Sequence, residues 1–119
     1  MAMAHHAKAG AIVLFSGETR NHQEGESVDF LEYEAHIEMG NKVIAQILED
    51  AQKEWPLHFV FAQHRIGKVM ISQTAVAVVT SASHRDEAYK ANRYIIDRIK
   101  AEAPIWKKEY FSEGNGVWR

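Results

Sequence analysis

Residues 74–107, TAVAVVTSASHRDEAYKANRYIIDRIKAEAPIWK, decide the fold of this chain. The β-branched run 74–80 predicts a central strand, and a helix is predicted to follow it over about 84–102. Pro104 disfavours helical geometry at Ala103, so the helix is expected to end there. The apolar or small residues that recur at helical spacing, and that are expected to form its buried stripe, are Ala88, Ala91, Ile95 and Ile99.

Beyond this strand and this helix, the sequence pattern predicts one further helix and four further strands. The helix covers about residues 39–55, is amphipathic, and is closed by Pro56. The strands are predicted at residues 10–15, 28–34, 58–66 and 105–111. Gly67 is expected to end the third of them. The resulting order predicts an α+β fold, in which two main helices pack on one face of a mostly antiparallel sheet.

Local patterns also predict where the second helix and the domain begin. Ser83 with Asp86 fits the S-x-x-D capping pattern, which places a hydrogen-bonded cap at the start of that helix. Residues 1–9 are small and polar and are expected to be a flexible leader. The folded domain is therefore assigned to residues 10–119, with no internal repeat or linker.

The composition describes an ordinary single domain and excludes several classes of function. The chain has 119 residues, 46% of them hydrophobic and 25% charged, and its net charge is −2. That charge gives no overall field that would attract nucleic acid or an anionic membrane surface. No apolar run approaches the roughly 20 residues needed to span a bilayer. The absence of cysteine excludes disulfides and thiol nucleophiles, and a cytosolic protein is the simplest expectation.

The start of the second helix carries the strongest local signal for binding. His84 and Arg85 place positive charge where the helix already presents unpaired N–H groups and the positive end of its dipole. Asp86 and Glu87 offset part of that charge, so an ordinary solvated surface remains one interpretation. The other interpretation is a phosphate or carboxylate held by the backbone N–H groups, with Arg85 in bidentate contact.

Lysines near the end of the same helix suggest a reactive group. Lys107 follows Ile105 and Trp106, which favour a partly buried setting, and there it could act as a nucleophile or a proton shuttle. Alternation places Lys108 on the opposite face of the strand. Lys100 lies at a helix C-terminus, where a lysine is favourable in any case, and its own pattern indicates a solvated residue.

The remaining polar clusters are weaker. Arg20 begins a basic segment after the first strand that could be a polar turn or part of an anion pocket. His64 and Arg65 stand at a strand end and are expected to be structural. The histidines show no metal-ligand spacing, so no metal or cofactor is expected. A compact anion pocket would form if five cations gathered at one edge of the sheet: Arg20, His84, Arg85, Lys100 and Lys107.

Several segments together resemble the large, catalytic subunit of molybdopterin synthase, in order and over about residues 10–118. The H-R-I-G, S-x-H-R and P-I-W-K-K-E pieces are the most specific in combination. The segments are Gly10–Gly17 (GAIVLFSG), Thr19–His22 (TRNH), Leu31–Glu34 (LEYE), Trp55–Pro56, His64–Gly67 (HRIG), Ser83–Arg85 (SHR) and Ala103–Glu109 (APIWKKE). The resemblance implies an α/β hammerhead-type fold.

The resemblance also implies a function and a set of partners. Members of this family act in molybdenum cofactor biosynthesis, as a homodimer within a heterotetramer. Each copy binds a small ubiquitin-like subunit whose C-terminal Gly-Gly carries a thiocarboxylate. The reaction implied is transfer of sulfur to cyclic pyranopterin monophosphate, which forms the dithiolene of molybdopterin. The lack of cysteine fits this reaction, because the partner brings the sulfur.

Matching residue by residue, the resemblance implies specific roles. Lys107 and Lys100 match the two active-site lysines, the first near the incoming thiocarboxylate and the second near the pterin carbon under attack. Phe15 matches an aromatic residue of the pocket wall. Arg119 stands where the family's tail can offer a basic residue to the neighbouring subunit. The residues that match the basic pocket holding the pterin phosphate are Arg20, His84 and Arg85.

Two departures from the family pattern leave a rival interpretation open. The family carries an additional N-terminal strand and helix before the segment equivalent to Gly10, and its tail continues beyond the tryptophan matched by Trp118. The rival is a non-catalytic pterin-, anion- or partner-binding module on the same fold. A stand-alone phosphohydrolase ranks below both, since the chain offers neither metal ligands nor an obvious nucleophile.

Overall fold

The computed structural model describes residues 7–18, 22–23, 26–111 and 116–118, and the environment of side chains at 7–18 and 30–107. Two of the predicted site residues, Arg20 and Arg119, therefore lie outside the described residues. Most of the predicted leader, residues 1–6, lies outside them as well.

Every helix and strand predicted from the sequence is present, and three short strands were not predicted. The short ones are β2, β5 and β8. The elements in chain order are β1 Ala11–Glu18, β2 His22–Gln23, β3 Glu26–Ala35, α1 Ile37–Glu54, β4 Leu57–His64, β5 Gly67–Met70, β6 Thr74–Ala82, α2 Arg85–Glu102, β7 Ile105–Phe111 and β8 Gly116–Trp118. The α+β class is confirmed.

The strands form two antiparallel sheets. In the first sheet β6 is central and pairs with β1 on one side and β4 on the other. In the second sheet β3 pairs with β2, β5 and β7, and β7 pairs with β8. The two sheets thus divide between them the strands that the sequence pattern had assigned to one.

Both helices pack on the first sheet and form the main core with it. The stripe predicted for α2 is buried as expected: Ala88, Ala91 and Ile95 are fully buried and Ile99 nearly so. The same core takes Ile47 from α1 and Val78 from β6. Burial of these aliphatic side chains, at about 1.5–3 kcal/mol each, holds the two helices against β6.

Gly67 does not end β4, as the sequence pattern had indicated, but begins β5. β4 ends at His64, and the two residues after it carry the chain from the first sheet to the second. The φ of Gly67 is +91°, a backbone conformation that favours glycine because other residues meet steric strain there. The sequence pattern predicted the end of a strand at Gly67, but not the new strand that begins there.

The capping prediction for α2 is also wrong. The N-cap residue is His84, one position later than the pattern requires, and its side chain makes no capping hydrogen bond. The Ser83 hydroxyl instead lies 2.9 Å from Nε2 of His58 on β4. A contact between the Ser83 side chain and His58 of β4 therefore takes the place of the local capping bond.

Buried polar contacts fix α2 along the direction of its axis. The Asn92 amide nitrogen donates to the backbone carbonyls of Val13 and Val78, at 3.1 and 3.0 Å. Thr80 Oγ1 donates to the carbonyl of Ala88 at 2.7 Å. Apolar packing alone allows small shifts of a helix, whereas these directional bonds hold one position. Within the described residues, no helix is both long and apolar enough to cross a membrane.

Candidate active site

A cavity of about 480 Å³ opens between the two sheets, beside the C-terminal half of α2. One side of the cavity is apolar and is formed by Val76 of β6 and by Ile96 and Ile99 of α2. Polar and charged side chains of five different elements reach the same space. These are Glu18, Tyr33, His64, Lys100 and Lys107.

Lys100 reaches the cavity from the last turn of α2. That helix ends because Ala103 adopts an extended conformation before Pro104, and the Ala103 N–H closes the final turn on the Ile99 carbonyl at 3.0 Å. A cation in this position is favoured by the negative end of the helix dipole. The helix end therefore places an exposed positive charge at the rim of the cavity.

Lys107 reaches the cavity from β7, directly opposite Tyr33 of β3 in the antiparallel pairing. Alternation along β7 puts Ile105 and Lys107 on the cavity side. Trp106, between them, is 54% exposed. The lysine itself is half-buried, so its charge is presented to the cavity with less solvent around it than that of Lys100.

His64 is a cavity residue that sequence reasoning treated as structural. Its Nδ1 lies 2.8 Å from the carbonyl oxygen of Arg65, and its ring packs edge-on against Tyr33. Burial lowers the pKa of His64 below its ordinary value of 6.5, and the nearby charge of Lys100 lowers it further, while the bond to the Arg65 carbonyl acts in the other direction. The imidazole is therefore neutral at pH 7. Alternation along β4 places His64 on the same strand face as Ala62, but no local pattern shows that this end of the strand lies at the cavity.

The cavity carries a positive charge when its groups are considered together. Lys100 and Lys107 contribute two positive charges, Glu18 contributes one negative charge, and His64 is neutral. Glu18 ends β1, and its carboxylate lies 3.5 Å from the hydroxyl of Ser16. An anionic group entering between the two lysines would thus meet a net attraction in a partly enclosed space.

His84 and Arg85 do not lie at this cavity. They line a shallow surface site at the start of α2, with Gly10, Ser83 and Asp86. Arg85 and Lys100 are fifteen residues apart on one helix, which separates them by about 22 Å along its axis. The expectation that all the cations gather at one edge is therefore not met within a single chain, because the helix holds the two groups at opposite ends.

The start of β1 lies unusually close to this second site. A Cβ atom on Gly10 would overlap the carbonyl oxygen of Ser83, and the Gly10 N–H donates to the Ala82 carbonyl at 2.9 Å. Only glycine allows the two backbones to approach in this way. His84 and Arg85 are both exposed there and free to meet a ligand or another protein surface.

Phe15 lies beside the cavity rather than on its wall. Its side chain packs against the core between the first sheet and the helices. A Cβ atom on Gly17, which does line the cavity, would come within 3.3 Å of the Phe15 ring and 2.7 Å of Val76. Phe15 therefore shapes the cavity through Gly17. Among the residues the structure describes, no three acidic or histidine side chains are grouped to hold a metal ion.

Comparison with known proteins decides the family. The sequence model of the MoaE protein family matches residues 1–102 of the chain. This chain belongs to the MoaE family. Its resemblance to the catalytic subunit of molybdopterin synthase is thereby confirmed, as is the prediction that it belongs to molybdenum cofactor biosynthesis.

Relatives within the MoaE family agree with this assignment in sequence and in structure. A molybdopterin synthase catalytic subunit of Staphylococcus aureus is 44% identical over 106 residues, which cover 89% of this chain and 72% of that protein. The crystal structure of molybdopterin synthase from Staphylococcus aureus superposes with a TM-score of 0.90 at 42% identity, covering 96% of this chain and 82% of that one.

A more distant solved structure shows the same fold. It is a complex of subunits 1 and 2 of the molybdopterin-converting factor from Helicobacter pylori, with a TM-score of 0.77 and 20% identity. The alignment covers 93% of this chain and 72% of that one. At this identity the likeness supports the fold alone.

Proposed function

We propose that this chain is the catalytic subunit of a molybdopterin synthase and acts as a sulfurtransferase. The sulfur would come from the C-terminal thiocarboxylate of a small ubiquitin-like subunit that ends in Gly-Gly. The acceptor would be cyclic pyranopterin monophosphate, which becomes the dithiolene of molybdopterin. The observation that carries this proposal is the position of Lys100 and Lys107, which come from different elements and line one cavity.

The two lysines suit a reaction between an anionic donor and an anionic acceptor. A thiocarboxylate and a phosphate are both negatively charged, and the net positive charge of the cavity draws them together. As the donor sulfur attacks the pterin carbon, negative charge builds up on the acceptor. Fixed ammonium groups within a partly enclosed cavity stabilise that charge and can supply a proton. The chain has no cysteine, so the sulfur must be delivered by the partner.

The separation of the two cationic groups supports a site shared between two copies of the chain. Lys100 lies about 22 Å from Arg85 along α2, a span far longer than hydrogen-bond distance. In a homodimer, a two-fold axis can bring the start of α2 from one copy to the cavity of the other. His84 and Arg85 of one subunit would then hold the pterin phosphate while the lysines of its partner act on the ring.

The proposal is tested by reconstituting the reaction from separate parts. The full chain is mixed with a thiocarboxylated small subunit and cyclic pyranopterin monophosphate, and the pterin product is followed by mass spectrometry. We expect a product that has gained two sulfur atoms. The matched control uses the same small subunit with an ordinary C-terminal carboxylate, which should yield none. If the properly folded protein forms no dithiolene product with the thiocarboxylated partner, the assignment is wrong and a binding module remains.

A further inference from the structure

We propose that His64 is the proton acceptor of this cavity and that it activates the water which releases the small subunit after sulfur transfer. The inference rests on the proposed function and assigns a catalytic role to a residue outside the lysine pair. It follows from the hydrogen bond, the neighbours and the chemistry of this one imidazole.

The hydrogen bond of His64 fixes which ring nitrogen can accept a proton. A backbone carbonyl is only an acceptor, so the nitrogen 2.8 Å from the Arg65 carbonyl, Nδ1, must carry the hydrogen. A neutral imidazole has one N–H, and Nε2 therefore holds the lone pair. Among the residues that the structure describes, the one hydrogen bond of the His64 ring is the one at Nδ1, so Nε2 is left to accept a proton.

The titratable and aromatic groups that share the cavity with His64 come from four elements. Tyr33 of β3 contacts the ring edge-on, with 4.6 Å between ring centroids. Lys100 of α2 and Lys107 of β7 bring positive charge to the cavity lining, and among the described lining residues Glu18 of β1 is the one carboxylate. Burial and Lys100 both favour the neutral ring, so Nε2 can take up a proton at pH 7.

The proposed reaction contains a step that needs such a base. Attack by the thiocarboxylate sulfur forms a carbon–sulfur bond to a pterin carbon while that carbon's bond to oxygen breaks, and the electron pair leaves with the oxygen. The small subunit is then bonded to the pterin through an acyl–sulfur linkage. To release it, a water oxygen forms a bond to the acyl carbon while one water O–H bond breaks and its proton passes to Nε2 of His64. The carbon–sulfur bond of the acyl group then breaks, and its electron pair stays on the pterin sulfur as a thiolate. No oxidant or reductant is required.

The cavity holds groups suited to both sides of this step. The departing thiolate is an anion, and Lys100 and Lys107 line the same cavity and can stabilise it. The second water proton passes to solvent as the acyl carbon becomes a carboxylate, which restores the small subunit to its unsulfurated form. His64 thus acts on release of the partner, whereas the lysines act on sulfur attack.

The test uses a variant that keeps the hydrogen bond to the Arg65 carbonyl but loses the nitrogen that accepts the proton. In His64→Asn the amide NH₂ can still donate to the Arg65 carbonyl, but nothing replaces the Nε2 lone pair. With the thiocarboxylated small subunit and cyclic pterin, we expect this variant to accumulate the covalent partner–pterin species, seen by mass spectrometry. Its release should slow by about 100-fold or more, the usual contribution of a general base.

Two controls separate catalysis from structure. His36→Asn changes a histidine that caps α1 to another good capping residue, and it should leave the reaction unchanged. His64→Ala removes the whole side chain, and added imidazole should restore release only if a base is what has been lost. Circular dichroism and a thermal melt establish that each variant is folded.

The pH profile provides the decisive readout. In the wild-type protein, release should slow as the pH falls through the pKa of His64, which burial holds below its ordinary value of 6.5, and this dependence should be missing in His64→Asn. Equal release rates and equal pH profiles in the two proteins would overturn the role of His64 while leaving the proposed function intact. Failure of the wild-type protein to form any dithiolene would instead refute the proposed function, and the role of His64 with it.

Discussion

The imidazole of His64 packs edge-on against the phenol ring of Tyr33, and this contact joins the end of β4 to the C-terminal part of β3. The two strands belong to different sheets. In the second sheet, Tyr33 pairs with Gly67 of β5 on one side of β3 and with Lys107 of β7 on the other. A single aromatic residue therefore links the first sheet, the turn between sheets and the strand that carries a cavity lysine.

Replacement of Lys107 should stop the reaction without unfolding the protein. Lys107→Ala removes a half-buried positive charge from the cavity wall while leaving the β3–β7 backbone pairing in place. We expect turnover in the reconstituted assay to become undetectable, while the thermal melting temperature changes little. Lys90→Ala, an exposed lysine on α2, is the matched control and should behave as wild type. Near-normal activity of Lys107→Ala would remove this lysine from the mechanism.

Mixed dimers test whether the site is shared between subunits. Lys107→Ala and Arg85→Ala should each be inactive alone, since each site then lacks one component. If a site takes the lysine from one copy and the arginine from the other, a mixed dimer has one complete site. Random assembly of equal amounts would restore about a quarter of the wild-type sites.

The measurement for mixed dimers is product yield after the two variants are unfolded together and refolded, with each refolded alone as the reference. Activity near that of two inactive separate variants would mean that both residues act within one chain. An active Arg85→Ala protein on its own would mean that Arg85 is not needed. Recovery well above the references would require a contribution from the neighbouring copy.

Loss of the Asn92 amide should destabilise the fold. Asn92→Ala removes the donor to the Val13 and Val78 carbonyls and leaves a small void in a buried site. We expect the free energy of unfolding to fall by about 2 kcal/mol, measured by urea denaturation. The control is Arg93→Ala, the next residue along α2, whose ion pair with Asp97 is exposed and should contribute little. Equal stability of the two variants would show that the Asn92 bonds are replaced by water.

Acid should weaken the contact between α1 and α2 through one arginine. Arg98 bonds Asp50 of α1 at 2.6 Å and Glu102 at 2.6 and 2.9 Å, which lowers the pKa of both carboxyls below their ordinary values of 3.8 and 4.5. Because the folded protein holds these protons more weakly than the unfolded chain, the stabilisation is complete above those ordinary values. It is lost as the pH falls through the lower, folded values.

The test of this acid dependence is urea unfolding at a series of pH values from neutral to about 3. The free energy of unfolding of the wild type should decline below about pH 4.5, and Arg98→Gln should show a smaller decline. Arg93→Gln, which alters an exposed ion pair on the same helix, should keep the wild-type dependence. An unchanged slope in Arg98→Gln would assign the acid sensitivity to other carboxyls.

Periodicity was enough to predict the main elements, and it failed where a contact in space decides the outcome. The buried stripe of α2 follows from its sequence because a 3.6-residue repeat must face a core. The capping bond did not, since the Ser83 hydroxyl meets His58, twenty-five residues away in the chain. The division of the strands into two sheets depends on the turn between His64 and Gly67, where Gly67 was taken to end a strand although it begins another.

The residues of the candidate site could likewise be predicted only in part from the sequence. Alternation in β7 predicts that Lys107 and Lys108 lie on opposite faces, and Lys107 does line the cavity. The importance of Lys100 came only from the family resemblance, because a lysine at a helix end is favourable without any function. His64 was passed over, since the pattern cannot show that the far end of β4 lies against α2 and β3. The separation of Arg85 from Lys100, by contrast, was implicit in their positions on one helix.

The buried hydrogen bonds of the Asn92 side chain limit which insertions and deletions α2 can accept. They hold the helix to the first sheet at one point, and Lys100 lies eight residues further along. One residue inserted between them would rotate Lys100 by about 100° and advance it by about 1.5 Å, which would turn it away from the cavity. Exposed positions of this segment can therefore change in identity over evolution, whereas its length between Asn92 and Lys100 must stay constant if Lys100 is to reach the cavity.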